Sequence, residues 1–194
     1  MTQTTLTVLP VLPERWPDLE AVFNSKGCSI ARGCWCMYYR VSGKPPARPA
    51  GTSVPEASRL AMKRIVDSGQ VPGLIGYLAG QPAGWVTLGP REEFRKLARS
   101  PVIGPVDDQP VWSLVCFVVP SQYRGQGVAK GLLRGAISYA RSQRVGTLEA
   151  YPLDTEAGGF GQPWFGSKSM FDEAGFVEVM RRKPQRPIMR LNLA

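Results

Sequence analysis

Apolar and polar residues first alternate over Thr5–Leu9, a β-rich run that predicts an opening strand. The period then lengthens. Across Pro13–Phe23 the residues Trp16, Leu19 and Phe23 recur on one helical face. Cys28 to Val41 is aromatic and shows no period, and Ser42–Thr52, rich in proline and glycine, reads as a loop. Ser53-Val-Pro-Glu56 has the form of a capping box with an early proline. It predicts a helix to about Ser68 with Ala57, Leu60, Ala61 and Ile65 facing inward. Two apolar runs, Gly73–Ala79 and Ala83–Leu88, flank Gly80-Gln81-Pro82 and predict a hairpin.

Farther along, Glu92–Arg99 reads as a short basic helix and Ser100–Pro110 as a loop. Val111–Val119 is almost wholly apolar, which suits a strand buried on both faces. Gly127–Ser142 places Val128, Ala129, Leu132, Leu133, Ala136, Ile137 and Ala140 at helical spacing. A short strand at Thr147–Tyr151 follows. A glycine-rich loop then leads to a helix near Ser167–Ala174, closed by Gly175, and strands at Phe176–Arg181 and Pro187–Leu193 end the chain. This order is mixed α+β, and its central strand-helix-strand unit predicts a parallel pair with a right-handed crossover. No linker divides the chain, so residues 1–194 are expected to form one domain, with 28–52 as an irregular insertion.

Composition narrows the function. The chain has 194 residues, enough to bury a core, and no apolar run approaches bilayer length. The first ten residues lack the basic region and apolar stretch of a signal peptide, so a cytoplasmic protein with no membrane partner is expected. The net charge of +9 suits a polyanionic or phosphate-bearing ligand. The basic cluster Arg181, Arg182, Lys183 and Arg186 is broken by prolines and has no interleaved aromatics, which argues against nucleic acid. Histidine is absent. That excludes Ser-His-Asp and Cys-His catalysis and histidine-ligated zinc. Cys28, Cys34, Cys36 and Cys116 do not have the spacing of a metal ribbon or finger, and no metal is expected.

The segment from Cys116 to Ala129 carries the chemistry. A buried strand ends at Pro120, and a short loop delivers Gly125 and Gly127 to the start of an amphipathic helix. Unpaired N–H groups and a partial positive charge gather there, an arrangement suited to a pyrophosphate. A glycine-rich turn before a packed helix remains the plain alternative.

Gln122-Tyr-Arg-Gly125-Gln-Gly127 resembles the Q/R-x-x-G-x-G/A signature of the GNAT superfamily of acyl-CoA-dependent N-acyltransferases, and Met170-Phe-Asp-Glu-Ala-Gly-Phe176 resembles the segment that closes its fold. The resemblance covers roughly residues 73–193. It implies a mostly antiparallel sheet flanked by helices, with one central, splayed parallel pair. It implies acetyl-CoA as co-substrate. The pantetheine arm would lie along Phe117, Val118 and Val119, and the pyrophosphate on the backbone of Arg124, Gly125, Gln126, Gly127, Val128 and Ala129. The acceptor would be a small-molecule or protein amine, with a homodimer an open option.

The pattern breaks at the acid and the base. The position where such enzymes often carry a tyrosine holds Phe171, which has no proton to donate. Glu149 and Asp154 are the nearest carboxylates to the expected gap and the candidate bases, with Val118 N–H the candidate polariser of the acyl carbonyl. Trp35, Tyr38 and Tyr151 are the candidate acceptor contacts, within or beyond a stretch at Gly33–Arg40 expected to shape the acceptor side. A catalytically inactive acyl-CoA-binding module is the alternative function.

Overall fold

The apolar run at 111–119 can bury both of its faces only in the middle of a sheet, and there it lies. The fold is that of a computed structural model, which describes residues 6–41, 51–157 and 164–194. Thr5, most of the loop expected at 42–52 and the glycine-rich stretch at 158–163 fall outside the described residues. The strands are β1 (Leu6–Pro10), β2 (Gly73–Leu78), β3 (Gln81–Pro90), β4 (Trp112–Val118), β5 (Thr147–Ala150), β6 (Val177–Lys183) and β7 (Arg186–Asn192). The helices are α1 (Trp16–Asn24), α2 (Ser29–Cys34), α3 (Val54–Asp67), α4 (Arg95–Ala98), α5 (Val128–Ser142) and α6 (Lys168–Glu173). The seven strands make one sheet in the order β1-β2-β3-β4-β5-β7-β6.

The central pair β4–β5 is parallel, with Trp112 opposite Leu148, Ser113 opposite Glu149 and Leu114 opposite Ala150. Every other pairing is antiparallel. β4–β5 pairing ends at Leu114, yet β4 runs on to Val118. The two strands therefore part in mid-sheet. α5 makes the crossover and buries Val128, Leu132, Leu133, Ala136, Ile137 and Ala140. Each larger side chain there contributes about 1.5–3 kcal/mol by leaving water. Gly131 and Gly135 let this helix lie on β1: a Cβ on either would come within 2.5 Å of Leu6 or Val8.

The opposite sheet face carries a second core, built by α1, α2 and α3. Trp35 stacks there on Phe23, with centroids 4.6 Å apart, and on Trp16 at 5.6 Å. Ser53 caps α3 as its sequence predicts, its hydroxyl accepting from Glu56 N–H at 3.3 Å.

Three local expectations are corrected. Residues 29–34 form α2, a short helix whose period is too brief to register in the sequence. On α3 the fully buried residues are Met62 and Val66, whereas Ala57, Leu60, Ala61 and Ile65 are only partly covered. The packing against α1 and α2 sets that phase. The β2–β3 turn is Ala79-Gly80, both with positive φ, as a tight two-residue hairpin needs. Gln81 and Pro82 already belong to β3.

Candidate active site

Past Pro120 the chain makes one 3-10 turn at Ser121–Tyr123 and enters α5 through Gly125 (φ 74°) and Gly127 (φ 76°). Both lie in the left-handed region that glycine adopts without steric cost. Nothing stands within 4 Å of where a Cβ on either would be. The backbone is bare, and it borders a cleft of about 620 Å³. Phe117, Val119, Arg124, Gly125, Gly127, Val128 and Ala129, all anticipated for coenzyme A, line it. Gln126 instead turns its amide back to the Gln122 carbonyl, at 2.7 Å. The Arg124 guanidinium ties the loop down, donating to the carbonyls of Val119 (3.1 Å) and Gly27 (2.7 Å). Lys130 is ion-paired with Glu173 at 2.6 Å. An anion in the cleft would therefore meet mainly the helix start and its N–H groups.

A second cavity of about 240 Å³ opens on the other side of β4. Successive side chains of a strand point to opposite faces. Phe117 and Val119 accordingly face the cleft, and Cys116 and Val118 face the second cavity. Trp164 borders both. Its carbonyl accepts a hydrogen bond from Phe117 N–H at 2.7 Å, on the flank of β4 that β5 leaves open.

That bond corrects the role expected of Val118. Phe117 N–H points into the gap, so alternation turns the polar groups of Val118 toward β3, where Val118 stands opposite Trp85. A Cβ on Gly84 of β3 would lie 3.2 Å from the Val118 carbonyl. Phe117 and Val119 are the residues whose N–H groups can reach the gap.

The two candidate bases are already engaged. Glu149 has no exposed surface. Its carboxylate accepts from Arg190 Nε at 2.8 Å and from Tyr151 Oη at 2.8 Å, with Arg91 Nη1 3.7 Å away. Arg190 also grips Asp107 through two 2.7 Å bonds, and that guanidinium holds the Asp107 carboxyl down at about 2. Asp154 bonds Arg181 at 2.9 Å. Burial pushes its carboxyl up, but Arg181 and the Ala157 N–H outweigh that and hold it below the usual range. Neither carboxylate lines either cavity.

The acceptor contacts divide as well. Tyr38 lines the second cavity, together with Cys34, Cys36 and Tyr39 of the same stretch. Trp35 is a core residue, 2% exposed. Tyr151 lies fully buried behind Phe165, with its hydroxyl 2.7 Å from Ser113 Oγ, and burial pushes its phenol well up. Phe171 is buried against Phe117 and Phe176. The sequence reading missed Trp164, Phe165 and Ser167. An aromatic pair set in a glycine-rich stretch was the available signal. Among the described residues no three His, Cys, Asp or Glu side chains are grouped so as to hold a metal ion, and no helix is long and apolar enough to cross a membrane.

A glycine-rich helix start beside a half-open parallel pair suits an enzyme that draws an acyl group from a nucleotide thioester. The chain matches the model of the acetyltransferase (GNAT) family over residues 46–160, more than half its length, and it belongs to that family. It is an acetyltransferase that uses acetyl-CoA and delivers the acetyl group to an amine. The fold is shared with solved structures at low identity. An N-acetyltransferase from Staphylococcus aureus Mu50 superposes with a TM-score of 0.54 at 15% identity, covering 98% of this chain and 99% of that one. The protein yncA from Salmonella typhimurium, solved with its cofactor acetyl-CoA, gives 0.54 at 15% identity, covering 98% and 95%. A GNAT-family acetyltransferase from Streptococcus agalactiae 2603 gives 0.55 at 10%, covering 96% and 95%. No curated protein matches the chain at a significant level.

Proposed function

We propose that this chain, as a single domain, transfers acetyl directly from acetyl-CoA in the larger cleft to an amine held in the smaller cavity. One observation carries this reading: alternate side chains of β4 line the two cavities, and both meet at Trp164 where β4 and β5 part. The backbone from Gly125 to Ala129 would take the pyrophosphate, and the flank of β4 at Phe117 and Val119 the pantetheine arm. The amine nitrogen attacks the thioester carbon, a C–N bond forms and the C–S bond breaks. Val119 N–H takes the pantetheine arm, and Phe117 N–H, released from the Trp164 carbonyl, stabilises the developing oxyanion. With Glu149 and Asp154 bound to arginines, the amine enters neutral and its proton leaves to water. Water also protonates the departing thiolate, whose ordinary pKa of about 8.5 makes it an adequate leaving group.

No acyl-enzyme forms on this route. Cys116 is the thiol on β4, and its hydrogen bond to Cys36 and its burial both push its pKa well up. Such a thiol is a poor nucleophile. Cys116→Ala is therefore expected to keep turnover within about twofold of the native chain. Loss of turnover with coenzyme A binding intact, or acetyl-Cys116 trapped by mass spectrometry, would establish a ping-pong route instead.

A second reading, an acyl-CoA-binding module without turnover, is favoured by Phe171 at the usual acid position and by the two engaged carboxylates. Release of coenzyme A from acetyl-CoA, followed chromatographically across a panel of amines, separates the two. Product with any amine excludes the inactive module, and none across the panel with donor binding intact supports it.

A further inference from the structure

The smaller cavity describes its occupant. Its walls are Ile30, Tyr38, Tyr39, Val118, Trp164 and Phe165, with the thiols of Cys34, Cys36 and Cys116 at its back. No carboxylate lines it. A diamine seated there would carry a second ammonium with no carboxylate to meet it, a costly burial. Burial drives the Cys34 thiol up to about 11, and its bond to Cys36 and burial drive Cys116 well up, whereas that same bond holds Cys36 below the ordinary thiol value. Ile30 and Tyr38, 60% and 54% exposed, stand among the few large exposed apolar side chains of the described surface. Both border this cavity, as expected of a lip that an apolar ligand covers.

Two of its aromatic walls carry the opposite feature, cations that stack on the rings without themselves lining the cavity. Lys96 Nζ sits 3.5 Å from the centre of the Tyr38 ring, and the Arg186 guanidinium 5.0 Å from that of Phe165. Neither cation is paired with a carboxylate among the described residues, and the segments outside them contain no Asp or Glu. Two aromatic walls of an apolar cavity thus each bear a positive charge. Neither belongs to the coenzyme A cleft, so the phosphates of the donor do not account for them.

We infer that the acceptor is an apolar α-amino acid, a carbon bearing an amine, an aliphatic or aromatic side chain and a carboxylate. The three arms match three features: the side chain fills the apolar cavity, the carboxylate meets Lys96 and Arg186, and the amine faces the gap beside β4. This identification rests on the transferase reading above, and the experiment keeps the two separable.

The full chain is assayed with acetyl-CoA and L-leucine, L-methionine or L-phenylalanine. The comparison amines are isoamylamine and phenethylamine, which lack the carboxylate, together with spermidine and phosphoethanolamine. Binding of leucine is measured in parallel by calorimetry in the presence of coenzyme A. An apolar amino acid should exceed its decarboxylated partner in kcat/KM by about tenfold or more. Lys96→Met should raise KM for leucine about tenfold with kcat held and leave isoamylamine unaffected, and Lys96→Arg should restore the native KM. Equal or better use of the decarboxylated amines, or preference for spermidine or phosphoethanolamine, overturns the inference and leaves acetyl transfer standing. Saturable leucine binding without turnover of any amine upholds the amino-acid site and overturns transfer. Absence of both binding and turnover for all three amino acids overturns the inference.

Discussion

Gly127→Asp is expected to weaken coenzyme A binding about a hundredfold, a loss of about 3 kcal/mol, while the chain stays folded. Gly127 caps α5 at φ 76°, and a Cβ there meets nothing within 4 Å. The substitution therefore causes no clash, and its folding cost is the left-handed strain, about 1–2 kcal/mol. The functional effect is electrostatic. A carboxylate would occupy the positive end of the helix, where the donor's phosphates need bare N–H groups. Gly127→Ala carries the same backbone strain without the charge and should lose far less affinity. Calorimetric titration of both variants, with thermal melts as the folding control, measures the difference. Unchanged affinity in Gly127→Asp would move the pyrophosphate elsewhere.

The second large effect concerns stability. Glu149→Gln should destabilise the chain by about 3–5 kcal/mol and lower its melting temperature by roughly 10 °C. The carboxylate has no exposed surface and faces Arg190 and Arg91, which are each 8% exposed. Arg91 Nη1 already has no hydrogen-bond partner among the described residues. Removing the charge leaves Arg91 with no carboxylate in reach and Arg190 with Asp107 alone. A variant that melts like the native chain but loses activity and the acid limb of its pH–rate profile would return Glu149 to the role of base. The same network sets an acid limit. Asp107 titrates at about 2 in the folded chain, against about 3.9 when unfolded. Its depressed folded value means that its contribution is complete above about pH 4 and fades as the pH falls toward 2. Asp107→Asn should flatten the loss of stability measured over that window.

Much of this was legible in the residues, and the rest failed for identifiable reasons. The β4 run, the α5 stripe and the glycine pair between them are local patterns whose period or backbone demand needs no partner to be read. Most of the cleft lining follows from them. Glu149 misled because its partner Arg190 lies 41 residues away, on an antiparallel strand whose register composition does not reveal. Trp35 looked like a ligand contact because no local pattern reveals the left-handed backbone, at φ 47°, with which it packs in the core beside two aromatics from α1. The smaller cavity draws on α2, β4 and Trp164-Phe165, three segments far apart in sequence. The cations stacked on two of its walls, Lys96 and Arg186, come from two more. Such a composite site appears only once the chain is folded.

The bond from Phe117 N–H to the Trp164 carbonyl has a meaning for solubility as well as for catalysis. Where two strands part inside a sheet, a bare flank becomes a template on which a foreign strand can grow. Here an amide oxygen of the chain itself already covers that donor. An arriving acyl-CoA carbonyl would replace one acceptor with another of equal kind, so the swap adds little net free energy in the ground state. Selectivity for the donor then falls to its nucleotide end, and in the absence of donor the same carbonyl shields β4 from accidental self-assembly.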